Sequence, residues 1–239
     1  MTKGISPFGT TGRREFLSGL SAAVASGLAF SDTSWSDDQA TKDSPPLPKI
    51  SLGKYAVTRL VAGWNPIGGY SYLGKTMDKE MKEYFTTQRT THFLRQCEQA
   101  GINTHQFSMA GNTREILKAV RQQGSKMQFI CLDSGREGIK GIVQSLQPMA
   151  MAHHGGATDT LFREGKSREV HDYVKAAHDR GVLAGVSAHN PDCIKQIADK
   201  GWEVDFFMTC FYFLTPGHGS GTEEKPAAVV PGPPVGYAP

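Results

Sequence analysis

Two adjacent histidines end a short apolar run in the stretch PMAMAHHGGATD, residues 148–159. Imidazole changes its charge near neutral pH and also binds transition metals, so His153 and His154 are candidates for proton transfer or metal coordination. Gly155 and Gly156 follow directly; glycine lets a ligand approach the backbone closely, and the same pair equally suits a tight turn. Because successive side chains on a strand point to opposite faces, at most one of the two histidines is expected to face a common site.

Polar side chains also close two other apolar runs. Asp133 lies at the end of MQFICLDS, residues 127–134, and His189 lies at the end of LAGVSAHN, residues 183–190. Alternation along the second run places Ser187 and His189 on one face. The opposite face, which we expect to pack against helices, consists of Ala184, Val186 and Ala188. The candidate catalytic residues are His153, His154, His189 and Asp133.

Metal coordination competes with proton transfer for these residues. A metal needs three or four converging ligands, and one histidine of the pair with His189 and Asp133 would offer mixed nitrogen and oxygen ligation. The sequence has no HxH or HExxH spacing to support such a site. Substrate contact or proton transfer therefore ranks above a metal, and no metal ligand is assigned.

The elements that position these residues follow from hydrophobic periodicity. From Ile50 onward, short runs rich in Val, Ile and Phe alternate with amphipathic segments of helical period, which is typical of βα units around a parallel sheet. The strand candidates are RLVAGWN (59–65), NTHQFS (103–108), MQFICLDS (127–134), AMAHH (150–154), LAGVSAHN (183–190) and VDFFMTCFY (204–212). The sequence thus predicts an α/β fold, an incomplete (β/α)8 TIM barrel with about six βα units. Such barrels carry their active site at the carboxyl ends of the strands, where the candidate residues lie.

One helix boundary is particularly clear. Asn190 suits an N-cap, Pro191 suits the first helical position, and Gly201 lies beyond the end of the apolar periodicity. We therefore expect a helix to start directly after the strand that carries His189.

The amino-terminal segment, residues 1–31, resembles a twin-arginine signal peptide. Arg13 and Arg14 precede an apolar run over residues 17–30. This run of 14 residues is too short to span a bilayer, which takes about 20, and small residues near Ser31 suit signal peptidase. We expect export by the twin-arginine translocation machinery to the periplasm or the extracellular space, without a stable membrane span.

Composition shifts divide the rest of the chain. Residues 32–49 are acidic, Ser-rich and interrupted by prolines, which predicts a linker, and residues 50–214 form the partial barrel domain. Residues 215–239 are predicted to be a disordered Pro/Gly-rich tail that cannot supply two further βα units. We expect that the reading frame is truncated or shifted, or that another chain completes the barrel. The open sheet edges at 59–65 and 204–212 are then expected to self-associate.

Composition also limits the classes of function. The chain has 239 residues of which 38% are hydrophobic, enough for a sizeable core. Its net charge of +3 is spread along the sequence, so nucleic acid is not an expected partner and a small-molecule substrate is. The four cysteines lie in apolar segments without a CxxC motif, which favours small buried side chains over metal ligands or disulfides. These cysteines are Cys97, Cys131, Cys193 and Cys210.

The region from residue 50 to 212 resembles the aldo/keto reductases, which are NADPH-dependent TIM-barrel oxidoreductases. The resemblance rests on the order and spacing of four stretches rather than on any single one. These are LGK with NPIGG near the first strand, AGINTHQFS at the second, LAGVSAHNP at the fifth and CFYFLTP at the sixth. The resemblance implies an oxidoreductase-like enzyme.

The resemblance also assigns residues. It implies that Ser187, Asn190 and Tyr212 contact a cofactor. The family's strand-end Asp and its general-acid Tyr correspond to Gln106 and Gly111, so the usual reductase tetrad is largely absent. The adenosine 2′-phosphate site of the family belongs to the last two barrel units. The cofactor is therefore left unknown, with NADPH implied by the resemblance alone.

Together these features predict an exported TIM-barrel protein that acts on or binds a small carbonyl or sugar-like compound. Two alternatives stay open. One is a metal-dependent barrel, similar to a hydrolase or isomerase, that uses the strand-end histidines. The other is a truncated remnant without catalytic activity.

Overall fold

Parallel strands form the centre of the part of the chain that the computed structural model describes, residues 46–71 and 73–210. The first two strands, β1 (Lys49–Leu52) and β2 (Tyr55–Thr58), make a separate antiparallel hairpin. The parallel sheet has the order β3 (Thr104–Ser108), β4 (Gln128–Asp133), β5 (Ala150–His153), β6 (Leu183–Ala188) and β7 (Phe206–Thr209). Spatial order equals chain order, so each connection moves one place along the sheet.

Helices connect the parallel strands, as in a TIM barrel. They are α1 (Asn65–Gly68), α2 (Lys75–Tyr84), α3 (Thr87–Gln99), α4 (Thr113–Gln122), α5 (Ile139–Leu146), α6 (Gly155–Arg163), α7 (Ser167–His178) and α8 (Pro191–Asp199). A short 3₁₀ helix, Arg136–Gly138, precedes α5. The predicted α/β class and partial barrel are confirmed: the described sheet is a curled half barrel of five strands.

The segment 59–65, predicted as the first strand, contributes a single bridge to this sheet instead. The backbone N–H of Ala62 donates to the carbonyl of Thr104 at 3.0 Å, and the carbonyl of Ala62 accepts from the N–H of Gln106 at 2.8 Å. Helix α1, with proline in its first turn, begins shortly afterwards. Because proline favours the start of a helix, the extended backbone ends before a ladder can form.

Hairpin β1–β2 is an element that the periodicity does not indicate. Gly53 in its turn has a φ of 54°, in the left-handed region that favours glycine. The side chain of Asn103, just before β3, accepts from the N–H of Thr58 at 3.0 Å and donates to the carbonyl of Ala56 at 2.7 Å. The hairpin therefore covers the amino-terminal end of the sheet and leaves the carboxyl ends of the strands open.

Alternating side chains of the parallel strands pack into two cores. The face toward the helices carries Phe107, Phe129, Cys131, Met151, Ala184 and Val186. The concave face, together with the hairpin, carries Val57, Ile130, Met149, Ala150 and Ala152. Ala184 and Val186 thus lie against helices, as the alternation predicts. Ser187, the next residue of β6, faces the concave side.

Short polar side chains set the starts of two helices. Asn190 caps α8 by accepting the N–H of Asp192 at 2.9 Å, and Pro191 occupies the first helical position, as predicted. Thr86 caps α3 by accepting the N–H of Arg89 at 3.3 Å. Each cap satisfies a backbone donor that the helix itself leaves unpaired.

Several sequence-based predictions concern other parts of the chain. The signal peptide (1–31), most of the linker (32–49), the tail (215–239) and Tyr212 lie outside the described residues. Within residues 46–71 and 73–210, no helix has the length and apolar character needed to cross a membrane. Of the cysteines, Cys97, Cys131 and Cys193 are buried.

Candidate functional site

A cleft of about 850 Å³ lies at the carboxyl ends of the parallel strands. The ends of the strands form its floor, and the segment around α1 forms one wall. Its lining includes Tyr70, Gln106, Asp133, His154, Ser187 and His189. This is the end of the barrel at which TIM-barrel enzymes carry their chemistry.

Asp159, on α6, holds His189 in place. Its Oδ2 accepts from the ring Nδ1 of His189 at 2.8 Å and from the backbone N–H of His189 at 3.1 Å, and its Oδ1 accepts from the N–H of Asn190 at 3.1 Å. The thiol of Cys193 also donates to Asp159, and burial together with this carboxylate raises the pKa of Cys193 to about 11. Because the carboxylate accepts at Nδ1, that nitrogen carries the proton and Nε2 of His189 is left for other partners.

His154 follows the neighbouring strand β5 and lines the same cleft. Partial loss of water around its ring lowers the pKa of His154, with His189 as the second cause, while Asp133 and Asp159 oppose the shift. A histidine with a lowered pKa is neutral at neutral pH and can accept a proton. The ring has no hydrogen-bond partner among the residues that the structure describes.

The two glycines after His154 differ in what they do. A Cβ at Gly155 would lie 2.9 Å from Oγ of Ser187 and 3.1 Å from Cε1 of His189, whereas a Cβ at Gly156 would lie 3.6 Å from Cε1 of His154. The first distance is shorter than real Cβ contacts, so a side chain at residue 155 would force Ser187 to shift. Since α6 begins at Gly155, the pair starts a helix and is not a tight turn.

His153 lies outside the cleft, although the sequence made it a catalytic candidate. Its ring is 1% exposed and meets Tyr173 edge-on, with ring centroids 5.0 Å apart. The hydroxyl of Thr158 donates to the carbonyl of His154, so its oxygen accepts the Nδ1 proton of His153 at 2.7 Å. Burial lowers the pKa of His153 to about 4, with His154 as a second cause. Strand alternation explains the outcome, because only one residue of the pair can face the cleft.

The remaining candidates are divided between the cleft and its surroundings. Asp133 and Ser187 line the cleft, and the Asp133 side chain has no hydrogen bond or ion pair with any described residue. The side chain of Asn190 is outside the lining and is used to cap α8. The structure thus brings Asp133, His154, Ser187 and His189 together.

Asp159 is the residue that sequence reasoning missed. It stands in the same stretch as the histidine pair, but its partner His189 lies 30 positions further along the chain. Only the parallel pairing of β5 with β6 brings the two together. Asp159 lies in the helix that follows β5, and its position in the sequence alone does not show which strand end it meets.

The arrangement of the side chains bears on metal coordination. In residues 46–71 and 73–210, no group of three or more His, Cys, Asp or Glu side chains is arranged to hold a metal ion. The ligand set considered from the sequence was one histidine of the pair with His189 and Asp133, and these side chains do not form such a group. The side chains therefore give no support to the metal-dependent alternative.

Comparison with known proteins finds similarity at the level of fold. No protein-family model matches the chain, and no curated protein matches it. Among solved structures, the chain is similar to a truncated form of 3-deoxy-D-arabino-heptulosonate 7-phosphate synthase from Thermotoga maritima, with a TM-score of 0.39 and 13% identity over 71% of this chain. The match spans only 58% of the synthase chain.

A second solved structure has a comparable degree of similarity. It is an HpcH/HpaI aldolase/citrate lyase family protein from Burkholderia cenocepacia, with a TM-score of 0.38 and 10% identity. The match covers 63% of this chain and 78% of the other. At such identity the likeness concerns the fold and leaves the reaction open.

The expected kinship with aldo/keto reductases, and with it the oxidoreductase class, is wrong. No family model supports it, and the two solved structures named above are a synthase and a member of an aldolase/citrate lyase family. Within the chain, Gln106 and Gly111 stand where that family needs its Asp and its general-acid Tyr. One of the stretches that carried the resemblance, NPIGG, forms α1 and its C-cap and not the end of a barrel strand. The expectation of NADPH rested on the resemblance alone and lapses with it.

Proposed function

We propose that the protein is an enzyme that transfers protons on a small carbonyl or sugar-like compound bound in the cleft. The pair Asp159–His189 is the general acid–base unit, and His154 is the second proton-transfer group. The observation that carries this proposal is the 2.8 Å hydrogen bond between Asp159 Oδ2 and His189 Nδ1 at the edge of an open cleft. A carboxylate behind an imidazole fixes its tautomer and stabilises its charged form.

Two imidazoles on adjacent strands suit a reaction that moves two protons. Removal of a proton from carbon next to a carbonyl creates negative charge on the carbonyl oxygen, and a donor at that oxygen lowers the barrier. Because the pKa of His154 is lowered, its ring is neutral and is available to accept a proton. Nδ1 of His189 donates to Asp159, which leaves Nε2 of that ring as the atom that exchanges a proton with the ligand. The proposed reaction class is therefore enolisation, as in isomerisation, epimerisation or carbon–carbon cleavage.

The proposal is tested by hydrogen exchange. Purified protein is incubated in D₂O with a panel of small aldoses, ketoses and hydroxy-ketones, and deuterium at the carbon next to the carbonyl is followed by NMR. We expect exchange with at least one compound, and a loss of about 10²- to 10⁴-fold in His189→Gln, the usual size of a general acid–base contribution. His92→Gln, an exposed histidine on α3, is the matched control and should keep the full rate.

The outcome also separates this proposal from a non-catalytic remnant. Absence of exchange with every compound, in a protein whose circular dichroism shows folded structure, would favour the remnant. Exchange that survives in both His189→Gln and His154→Gln would place the chemistry elsewhere in the chain.

A further inference from the structure

The charge of the cleft determines which form of such a compound can enter it. This inference rests on the proposed function, because it concerns the ligand of the same cleft. The carboxylates and imidazoles that line it belong to Asp78, Asp133, His154 and His189. Among the described residues, the lining contains no lysine or arginine.

The two carboxylates differ in their hydrogen bonds. Asp78 is held by Ser71, whose N–H and hydroxyl donate to its Oδ1 at 2.8 and 2.7 Å. Asp133 lines the cleft and has no such partner in the described part of the chain, and its Oδ2 lies 3.4 Å from where a Cβ of Gly138 would stand, after the end of β4. A carboxylate accepts hydrogen bonds well from hydroxyl groups and repels other anions.

Gln106 offers a hydrogen-bond donor to the cleft, which complements the carboxylate acceptors. Its amide Nε2 is buried and has no hydrogen-bond partner in the described residues, although Gln106 lines the cleft. A buried donor without a partner is costly, and a ligand oxygen that accepts from it would remove that cost. Tyr70, 52% exposed, also lines the cleft, and Nζ of Lys82 lies over its ring, 5.9 Å from the centroid.

A phosphate site at the start of α6 is the main competing possibility, because helix N-termini attract anions. The start of α6 is crowded on the side of Gly155 that faces β6. A Cβ at residue 155 would lie 2.9 Å from Oγ of Ser187 and 3.1 Å from Cε1 of His189. His154 adds no positive charge, because its pKa is lowered.

We infer that the cleft takes uncharged polyhydroxyl carbonyl compounds and discriminates against their phosphorylated or carboxylated forms. Asp133 is the residue that sets this specificity. It accepts hydrogen bonds from hydroxyl groups of the neutral ligand and repels an added anionic group. Gln106 donates to a ligand oxygen on the same floor of the cleft.

Matched pairs of compounds test this inference directly. Glyceraldehyde, ribose and glucose are compared with their terminal monophosphates by ligand-observed NMR titration at constant ionic strength, which keeps screening equal. We expect the neutral member of at least one pair to bind about tenfold tighter or more, which is roughly 1.4 kcal/mol. Binding of none of the neutral compounds, or equal or tighter binding of the phosphates, would overturn the inference.

Variants of Asp133 attribute the preference to one side chain. Asp133→Asn keeps the shape and removes the charge, and Asp133→Lys reverses it; both should bring the monophosphate closer to the neutral compound or ahead of it. Asp199→Asn, an exposed carboxylate at the end of α8, is the control and should leave the preference unchanged. An unchanged preference in a folded Asp133→Asn protein would remove Asp133 from this role.

The two proposals fail in distinguishable ways. If neutral compounds bind but no hydrogen exchange occurs, the proposed function is wrong and the inferred specificity stands. If hydrogen exchange occurs with the phosphorylated compounds in preference, the proposed function stands and the inferred specificity is wrong.

Discussion

Two buried histidines are kept neutral by the fold. His105 and His153 are 0% and 1% exposed, and burial lowers the pKa of each to about 4. Each ring is held through Nδ1, that of His105 by the carbonyl of Ala62 at 2.8 Å and that of His153 by Thr158. Neutral imidazoles in such positions serve packing, since charging them would leave a buried cation without a counter-ion.

This burial predicts a pH dependence of stability. The folded pKa of about 4 lies below the unfolded value of 6.5, so the unfolded chain binds more protons between these limits. The free energy of unfolding should therefore fall as the pH drops from about 6.5 to about 4, by at most roughly 3 kcal/mol for each histidine. Urea denaturation of the wild type at several pH values measures this fall.

A variant isolates the contribution of one ring. In His153→Gln the same pH change should cost clearly less stability than in the wild type, because one of the two groups no longer titrates. His92→Gln should keep the full pH dependence. An identical slope in His153→Gln and the wild type would mean that His153 does not remain neutral in the folded protein.

At the scale of elements, the contact between β6 and the start of α6 shapes the cleft. Gly155→Ala puts a methyl group 2.9 Å from Oγ of Ser187 and 3.1 Å from Cε1 of His189, so these side chains must move. We expect the helix to persist, since alanine favours helices, while the catalytic rate falls at least tenfold. Gly156→Ala is the matched control, because its methyl group meets His154 at an ordinary 3.6 Å. Equal rates in the two variants would show that the position of His189 is not critical.

The same elements show how far sequence reasoning reaches. The sequence pattern of a single segment was sufficient to predict two features. Asn190 and Pro191 mark the start of α8, and the alternation along β6 places Ser187 on the concave side. Strand alternation also predicts that only one of His153 and His154 reaches the cleft.

Features that depend on distant partners were not accessible in this way. Asp159 meets His189 only because β5 and β6 pair. Hairpin β1–β2 is held in place by Asn103, a contact that the hydrophobic pattern of the hairpin does not reveal. The apolar run around Ala62 is consistent with a strand, yet the proline-containing α1 starts too soon after it. Spacing along the chain cannot reveal such contacts, since they are set by tertiary pairing.

At the scale of the whole molecule, β7 is an edge of the described sheet. Its Phe207 is 38% exposed, and exposed apolar edge strands recruit other chains. We predict that Phe207→Lys lowers self-association, because it removes roughly 1.5 to 3 kcal/mol of burial from each contact and adds charge. Leu73→Lys, an exposed side chain outside the sheet, should have no such effect. Sedimentation velocity at several concentrations measures both, and equal behaviour of the two variants would contradict the prediction.

Export of the molecule is a further proposal at this scale. Arg13 and Arg14 precede the short apolar run of the predicted signal peptide, outside the described residues. Replacing both with lysine keeps the charge and removes the paired arginines that the twin-arginine machinery reads. We expect the double variant to remain in the cytoplasm at full length, as judged by fractionation and immunoblotting. Unchanged export of that variant would refute the proposal.

The central claim is that Asp159 and His189 act as one proton-transfer unit. A double-mutant cycle of Asp159→Asn and His189→Gln in the deuterium-exchange assay tests it most directly. Residues that act as a unit have non-additive effects, so the double variant should exchange no more slowly than His189→Gln alone. If Asp159→Asn alone leaves the exchange rate unchanged, or if the two losses multiply in the double variant, Asp159 and His189 do not work together and the account is wrong.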